Sequence, residues 1–147
     1  MSLYDLDYNA WALEQANVVR RRSANEIDWD NVAEELEGLS KQLEAELYNR
    51  YVVLLSHLLK WIYQPQRRGR SWAGSIREQR IRIDRHVRKY PSLKAADDDI
   101  FQEAFEAARA AAARETRLPL STYPDRPPFT REQARDPVWW ADAEQPD

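Results

Sequence analysis

The residues in this chain that could do chemistry are two histidines, a run of acids, a run of arginines and six tryptophans. His57 and His86 are the first candidates for metal binding or proton transfer. A carboxylate-bridged metal pair in a helical bundle needs a glutamate three residues before each histidine. Leu54 and Ile83 stand there, so the motif is incomplete at both. Glu34, Glu35 and Glu37 lie about five or more helical turns from His57. They read as acids favoured by a helix N-terminus, partly paired with the preceding helix. His57 borders an apolar face, which favours a hydrogen-bonded structural histidine over a general base. Ser40 and Ser56 fall in mid-helix, with no strand-to-helix turn to expose a nucleophile. The turn from Gln64 to Arg70 holds one glycine, so it is not a phosphate-cradling loop. No catalytic residue, cofactor or metal ligand is assigned, and the reading leans away from an enzyme.

The basic run carries more information. From Arg67 to Lys89 there are nine cations (Arg67, Arg68, Arg70, Arg77, Arg80, Arg82, Arg85, Arg88 and Lys89) against Glu78 and Asp84. From Glu26 to Glu46, eight acids face Lys41 alone. Acidic and basic helices lying side by side, or meeting across a homodimer, would explain this asymmetry, because the net charge is only −3. Alternatively, Arg67, Arg68 and Arg70, flanked by Tyr63 and Trp72, bind an anion or a nucleic acid, since arginine and aromatic rings suit phosphates and stacked bases. Lys60, Trp61, Tyr63 and Trp72 also form a candidate protein-binding patch of hot-spot residue types. Against that patch stands a structural alternative, in which Trp61 and Trp72 pack on each other and clamp the hairpin.

These groups need elements to hold them, and the hydrophobic periodicity supplies helices. Val32, Leu36, Leu39, Leu43, Leu47, Tyr51, Leu54, Leu58 and Ile62 recur in steps of three or four, predicting one long helix from Asp30 to Tyr63. Its length would be roughly 50 Å, too long for one partner to cover. Gly38 inside it predicts a bend or the close approach of another backbone. Before it, Asp5 or Asp7 caps a helix running to about Arg21, with Tyr8, Trp11, Gln15, Val18 and Val19 near one face. After it, Pro65 and Gly69 force a hairpin, and Ser71 caps a third helix with Trp72, Ile76, Ile83 and Val87 inward. Tyr90-Pro91 ends that helix. Ser92 caps a fourth, from Leu93 to about Arg114, with Ala96, Ile100, Phe101, Ala104, Ala108 and Ala111 inward. Five prolines between Pro119 and Pro137 then make an extended segment. Thr130 and Gln133 have capping-box spacing within it, and Val138, Trp139 and Trp140 anchor it on the bundle. The last few residues are expected to fray. Antiparallel pairing sets Arg50 near Asp84, His57 near Arg77, Leu54 near Arg80, and Gln15 near Leu36.

The expected fold is an all-α antiparallel bundle of four main helices, one domain over residues 1–147. Residues 1–118 form the bundle and 119–147 the proline-rich wrap. No cysteine is present, which excludes disulfides and fits a reducing compartment. The opening residues lack a signal-peptide pattern and no apolar run spans a bilayer, so a cytoplasmic protein is expected.

The order of rare residues resembles a known family. Tyr4-Asp5-x-Asp7-Tyr8-x-x-Trp11-x-x-Glu14-Gln15, Glu34-Glu35-x-Glu37-x-Leu39 and Leu58-Leu59-Lys60-Trp61-x-Tyr63-Gln64-Pro65 are similar to the bacterial family known as domain of unknown function 29. Ser71-Trp72, Ile76-x-x-Gln79-Arg80, Pro91-Ser92-Leu93-Lys94 and Glu115-Thr116 continue the likeness over nearly the whole chain. The resemblance implies an all-helical fold and carries no activity, cofactor or partner. Members often have a glycine after the Glu-Thr pair and a cysteine in the proline-rich segment, where this chain has Arg117 and Pro127. The expected role is a non-enzymatic, self-associating interaction module. The alternative is an accessory protein that binds nucleic acid or another anion through the basic hairpin and third helix.

Overall fold

Helix signals punctuate the sequence closely enough to set most of the observed elements. The computed structural model describes residues 1–141, and these hold six α-helices and no strand. The chain is all-α. Its Cα positions divide into two compact units, Met1–Leu43 and the residues from Glu44 onward.

In the first unit, Ser2 caps α1 (Leu3–Leu6) and Asp7 caps α2 (Tyr8–Arg21) by accepting from the Ala10 amide at 2.9 Å. Arg22 ends α2 in a left-handed conformation, φ 57°. The long α3 (Trp29–Tyr63) begins after a short turn, and its residues up to Leu43 belong to this unit. Asp28 ties the turn down. Its carboxylate accepts from Asn31 at 2.8 Å and from Trp11 Nε1 at 3.0 Å, while its amide donates to Gln15. Those bonds, Asn31's first, hold the Asp28 carboxyl below its ordinary pKa.

Leu47, Tyr51, Leu54, Leu55, Leu58 and Leu59 of α3 are fully buried in the second unit. Helix α4 (Arg70–Lys89) folds back beside them and buries Ala73, Ile76, Ile83 and Val87. Contacts at both ends show the antiparallel pairing: His86 Nδ1 lies 3.6 Å from Glu46, and the Lys60 ammonium sits over the Trp72 ring. Helix α5 (Asp97–Thr116) adds Ile100, Phe101, Ala104, Phe105 and Ala108 to the core. The small alanine faces leave room for the segment that follows. Arg117 ends α5 with φ 57°, so the helix stops there in a left-handed conformation although the residue is not a glycine.

The proline-rich segment is held at named points. Tyr123 is buried with its hydroxyl 3.0 Å from Thr116, and Phe129 lies edge-on to Phe101, Phe105 and Trp139. The Thr130–Gln133 capping box opens α6 (Arg131–Arg135), as its spacing predicts. Trp140 is buried against Trp61, ring centroids 5.0 Å apart.

Several expectations are corrected. Arg50 does not meet Asp84: Arg50 lies 3.7 Å from Glu46 and Asp84 pairs with Arg88 at 3.0 Å, because the Glu46–His86 and Lys60–Trp72 contacts set a pairing of α3 with α4 shifted by two residues from the expected one. Gly69, not Ser71, precedes the first residue of α4, and Ser92 lies in a 3₁₀ turn, Pro91–Ala95, so α5 starts later without a side-chain cap. Leu36 and Leu39 are 62% and 57% exposed, outside any core. Val138 is exposed too, leaving the tryptophans as the anchor. A Cβ at Gly38 would meet nothing within 4 Å, so no backbone approaches there. The expectation of fraying falls on the last residues, which lie outside those described. Among the described residues, no helix is long and apolar enough to cross a membrane.

Candidate functional site

The hairpin residues singled out from the sequence part into two groups. Lys60 and Trp61 turn inward. Lys60, its side chain almost wholly buried, makes an ion pair with Glu115 of α5. The buried Trp61 ring packs on Trp140 rather than Trp72, which corrects the expected clamp. Tyr63 is half-buried, edge-on to Tyr123. Arg68 covers the Trp61 ring at 5.1 Å and donates from Nε to the Trp61 carbonyl at 2.6 Å. Trp72 is half-buried beneath Lys60, while Arg67 and Arg70 are exposed. Five of the seven candidates therefore make contacts that close the hairpin and its neighbours: Lys60, Trp61, Tyr63, Arg68 and Trp72.

Arg80 also leaves the basic surface. It is buried beneath the proline-rich segment, where its Nε donates to the Ala134 carbonyl at 2.8 Å and its Nη2 to the Trp139 carbonyl at 2.9 Å. Burial lowers its pKa to about 10, so it stays charged at neutral pH. Sequence reasoning missed this role, because a buried arginine on backbone carbonyls has the same spacing as an exposed one.

His57 is structural in geometry. A carbonyl only accepts, so its Nδ1 carries the proton and donates to Val53 O at 2.7 Å on the preceding turn. Burial pushes its pKa down. Glu35 accepts from the hydroxyls of Tyr4 and Tyr8, the pairing with the preceding helices expected for these acids. Among the described residues, no group of three or more His, Asp or Glu could hold a metal ion.

Two concave surfaces among the described residues bear on function. In the first unit, α2 and α3 enclose an open groove of about 460 Å³, with Trp11 and Ala12 in its lining and the exposed Val19, Leu36 and Leu39 along its walls. Gln15 and Leu36 share this groove, as their antiparallel register predicts. Arg20 of α2 and Glu35 of α3 give its walls opposite charges. In the second unit, a cleft of about 710 Å³ runs between α3 and α4, lined by Glu46 and Arg50 on one side and by Glu78, Arg82, Arg85 and Lys89 on the other.

The family model described as Domain of unknown function DUF29 matches residues 3–140. No curated protein and no solved structure matches the chain.

Proposed function

The chain belongs to the DUF29 family, and we propose that it works as a non-enzymatic interaction module that associates with itself through the groove of its first unit. The carrying observation is the exposure of Leu36 and Leu39 beside Trp11, on a helix that buries Leu47, Leu54, Leu55, Leu58 and Leu59 completely. A contiguous apolar groove on a helix pair suits an amphipathic helix as occupant. Its charges favour a second copy. A copy turned about a two-fold axis presents its Arg20 wall to this Glu35 wall, the self-complementarity that an isologous dimer requires. The reading includes a cytoplasmic setting, which the cysteine-free sequence fits. Sedimentation velocity over a concentration series tests it. The wild-type chain should form a dimer that survives moderate salt, and Leu36→Glu with Leu39→Glu should be monomeric. A wild-type chain that stays monomeric throughout overturns self-association.

A second reading rests on Arg67 and Arg70, which are exposed beside the half-buried Trp72 and make no ion pair among the described residues. It assigns these arginines to the phosphates of a nucleic acid. Fluorescence anisotropy with mixed-sequence probes should then show binding that weakens steeply with salt and is lost in the variant carrying Arg67→Glu and Arg70→Glu.

A further inference from the structure

The α3–α4 cleft contains a charge arrangement that neither reading uses. On α4, positions 78, 82, 85 and 89 follow steps of three or four and share one face. Arg82, Arg85 and Lys89 are thus like charges one turn apart, an arrangement that opposes the helix unless an anion meets it. The cleft's carboxylates answer only part of it. Glu78 takes Arg82 at 2.9 Å, and Glu46 is shared between Arg50 at 3.7 Å and His86 at 3.6 Å. Arg85 makes no ion pair among the described residues, and Lys89 has only the Tyr90 ring, 5.5 Å from its ammonium.

Arg85 and Lys89 are therefore two uncompensated cations near Tyr90; Glu46 reaches the same end of the cleft, against His86, and Glu78 lies toward the other end beside Arg82. From this surplus of cations, with two carboxylates set among them, we infer that the cleft binds a small phosphorylated molecule with a hydroxyl-bearing body. The phosphate monoester lies on Arg85 and Lys89, where the guanidinium fork matches its oxygens and the ammonium supplies a second charge. Ligand hydroxyls donate toward Glu78 and Glu46, which as carboxylates only accept. The cleft is of the size that encloses small molecules. A continuing nucleic-acid backbone is disfavoured, because its next phosphates would meet Glu46 and Glu78. Sugar phosphates and nucleoside monophosphates share the required chemistry. The inference concerns the second unit alone and stands whether or not the chain dimerises.

Isothermal titration at low salt with ribose 5-phosphate, adenosine monophosphate, inorganic phosphate and a single-stranded oligonucleotide tests it. Both monophosphates should bind, one of them more tightly where the body distinguishes sugar from nucleoside. Arg85→Gln and Lys89→Gln should each weaken them about tenfold, the loss of one charge-assisted contact. Arg88→Gln changes a cation of the same helix that pairs with Asp84 outside the cleft, and it should bind as the wild type does. Glu78→Gln should weaken the monophosphates and spare inorganic phosphate. Circular dichroism checks that each variant keeps its helices. No binding of either monophosphate to the wild-type chain overturns the site, as does an equal loss in Arg88→Gln. An oligonucleotide that binds more tightly than both monophosphates overturns the small-molecule assignment.

Discussion

The Tyr51 hydroxyl donates to the Asp97 carboxylate inside the second unit, joining the middle of α3 to the first turn of α5. The other carboxylate oxygen accepts from Arg135 at 2.8 Å and Arg131 at 3.0 Å, both on α6. Asp97 is 1% exposed, so one buried anion joins three elements. Burial, reinforced by the bond to Asp97, pushes the Tyr51 pKa up and keeps the phenol neutral.

Replacing Asp97 should therefore be severe. Asp97→Ala leaves two arginines facing a buried gap and should cost about 3 kcal/mol, as expected when one member of a buried ion pair is lost. Tyr51→Phe removes one hydrogen bond to a charged group and should cost about 1.5–3 kcal/mol. Urea titrations followed by circular dichroism measure both; an Asp97→Ala loss no larger than that of Tyr51→Phe would refute the joining role.

Arg80 and Trp140 fasten the proline-rich segment from beneath, with the Arg80 guanidinium 5.2 Å from the centre of the Trp140 ring. Trp140→Ala should cost about 3–5 kcal/mol, the range for removing a buried tryptophan. Arg80→Met should free the segment more selectively, because the Ala134 and Trp139 carbonyls lose their donor. Limited proteolysis should then cut between residues 119 and 138 well before the helices, which resist in the wild-type chain.

Two glycines interrupt helices without a packing reason. A Cβ at Gly38 in α3 or Gly74 in α4 meets nothing within 4 Å. Each Gly→Ala change should stabilise its helix by about 0.5–1 kcal/mol through the restricted unfolded chain. Thermal unfolding checks this, and a loss of stability at Gly38 would show that its backbone freedom is used.

The first unit should respond to acid through Glu35. Its carboxyl sits below the ordinary 4.5 because Tyr4, then Tyr8, donate to it. A lowered folded pKa contributes stability above 4.5 that is lost as pH falls through the folded value. The partner shift has the opposite sense. Bonding to Glu35 pushes Tyr4 up from 10.0 to about 12, so its contribution is present below pH 10 and disappears as pH rises through about 12. Hydrogen exchange of α1 and α2 should accelerate at acid pH in the wild-type chain beyond its intrinsic trend. Glu35→Gln should flatten that acid response.

Helix existence and type could be read from this sequence before any coordinates. Steps of three and four, aspartate before Tyr8, Pro65 with Gly69, and the Thr130–Gln133 pair each act within a few residues, so local chemistry alone decides them. The inward faces of the later helices were legible for the same reason. Partners of side chains were not. Trp61 chose Trp140 over Trp72, and Arg80 chose three distant residues' carbonyls over solvent, because those choices depend on where a segment some fifty to eighty residues away comes to rest. Leu36 and Leu39 carry the same periodic signal as Leu47 and Leu54, yet only the latter pair is covered. Periodicity specifies that a face is apolar; which neighbour covers it is a property of the tertiary structure, since burial depends on what else the chain packs against it.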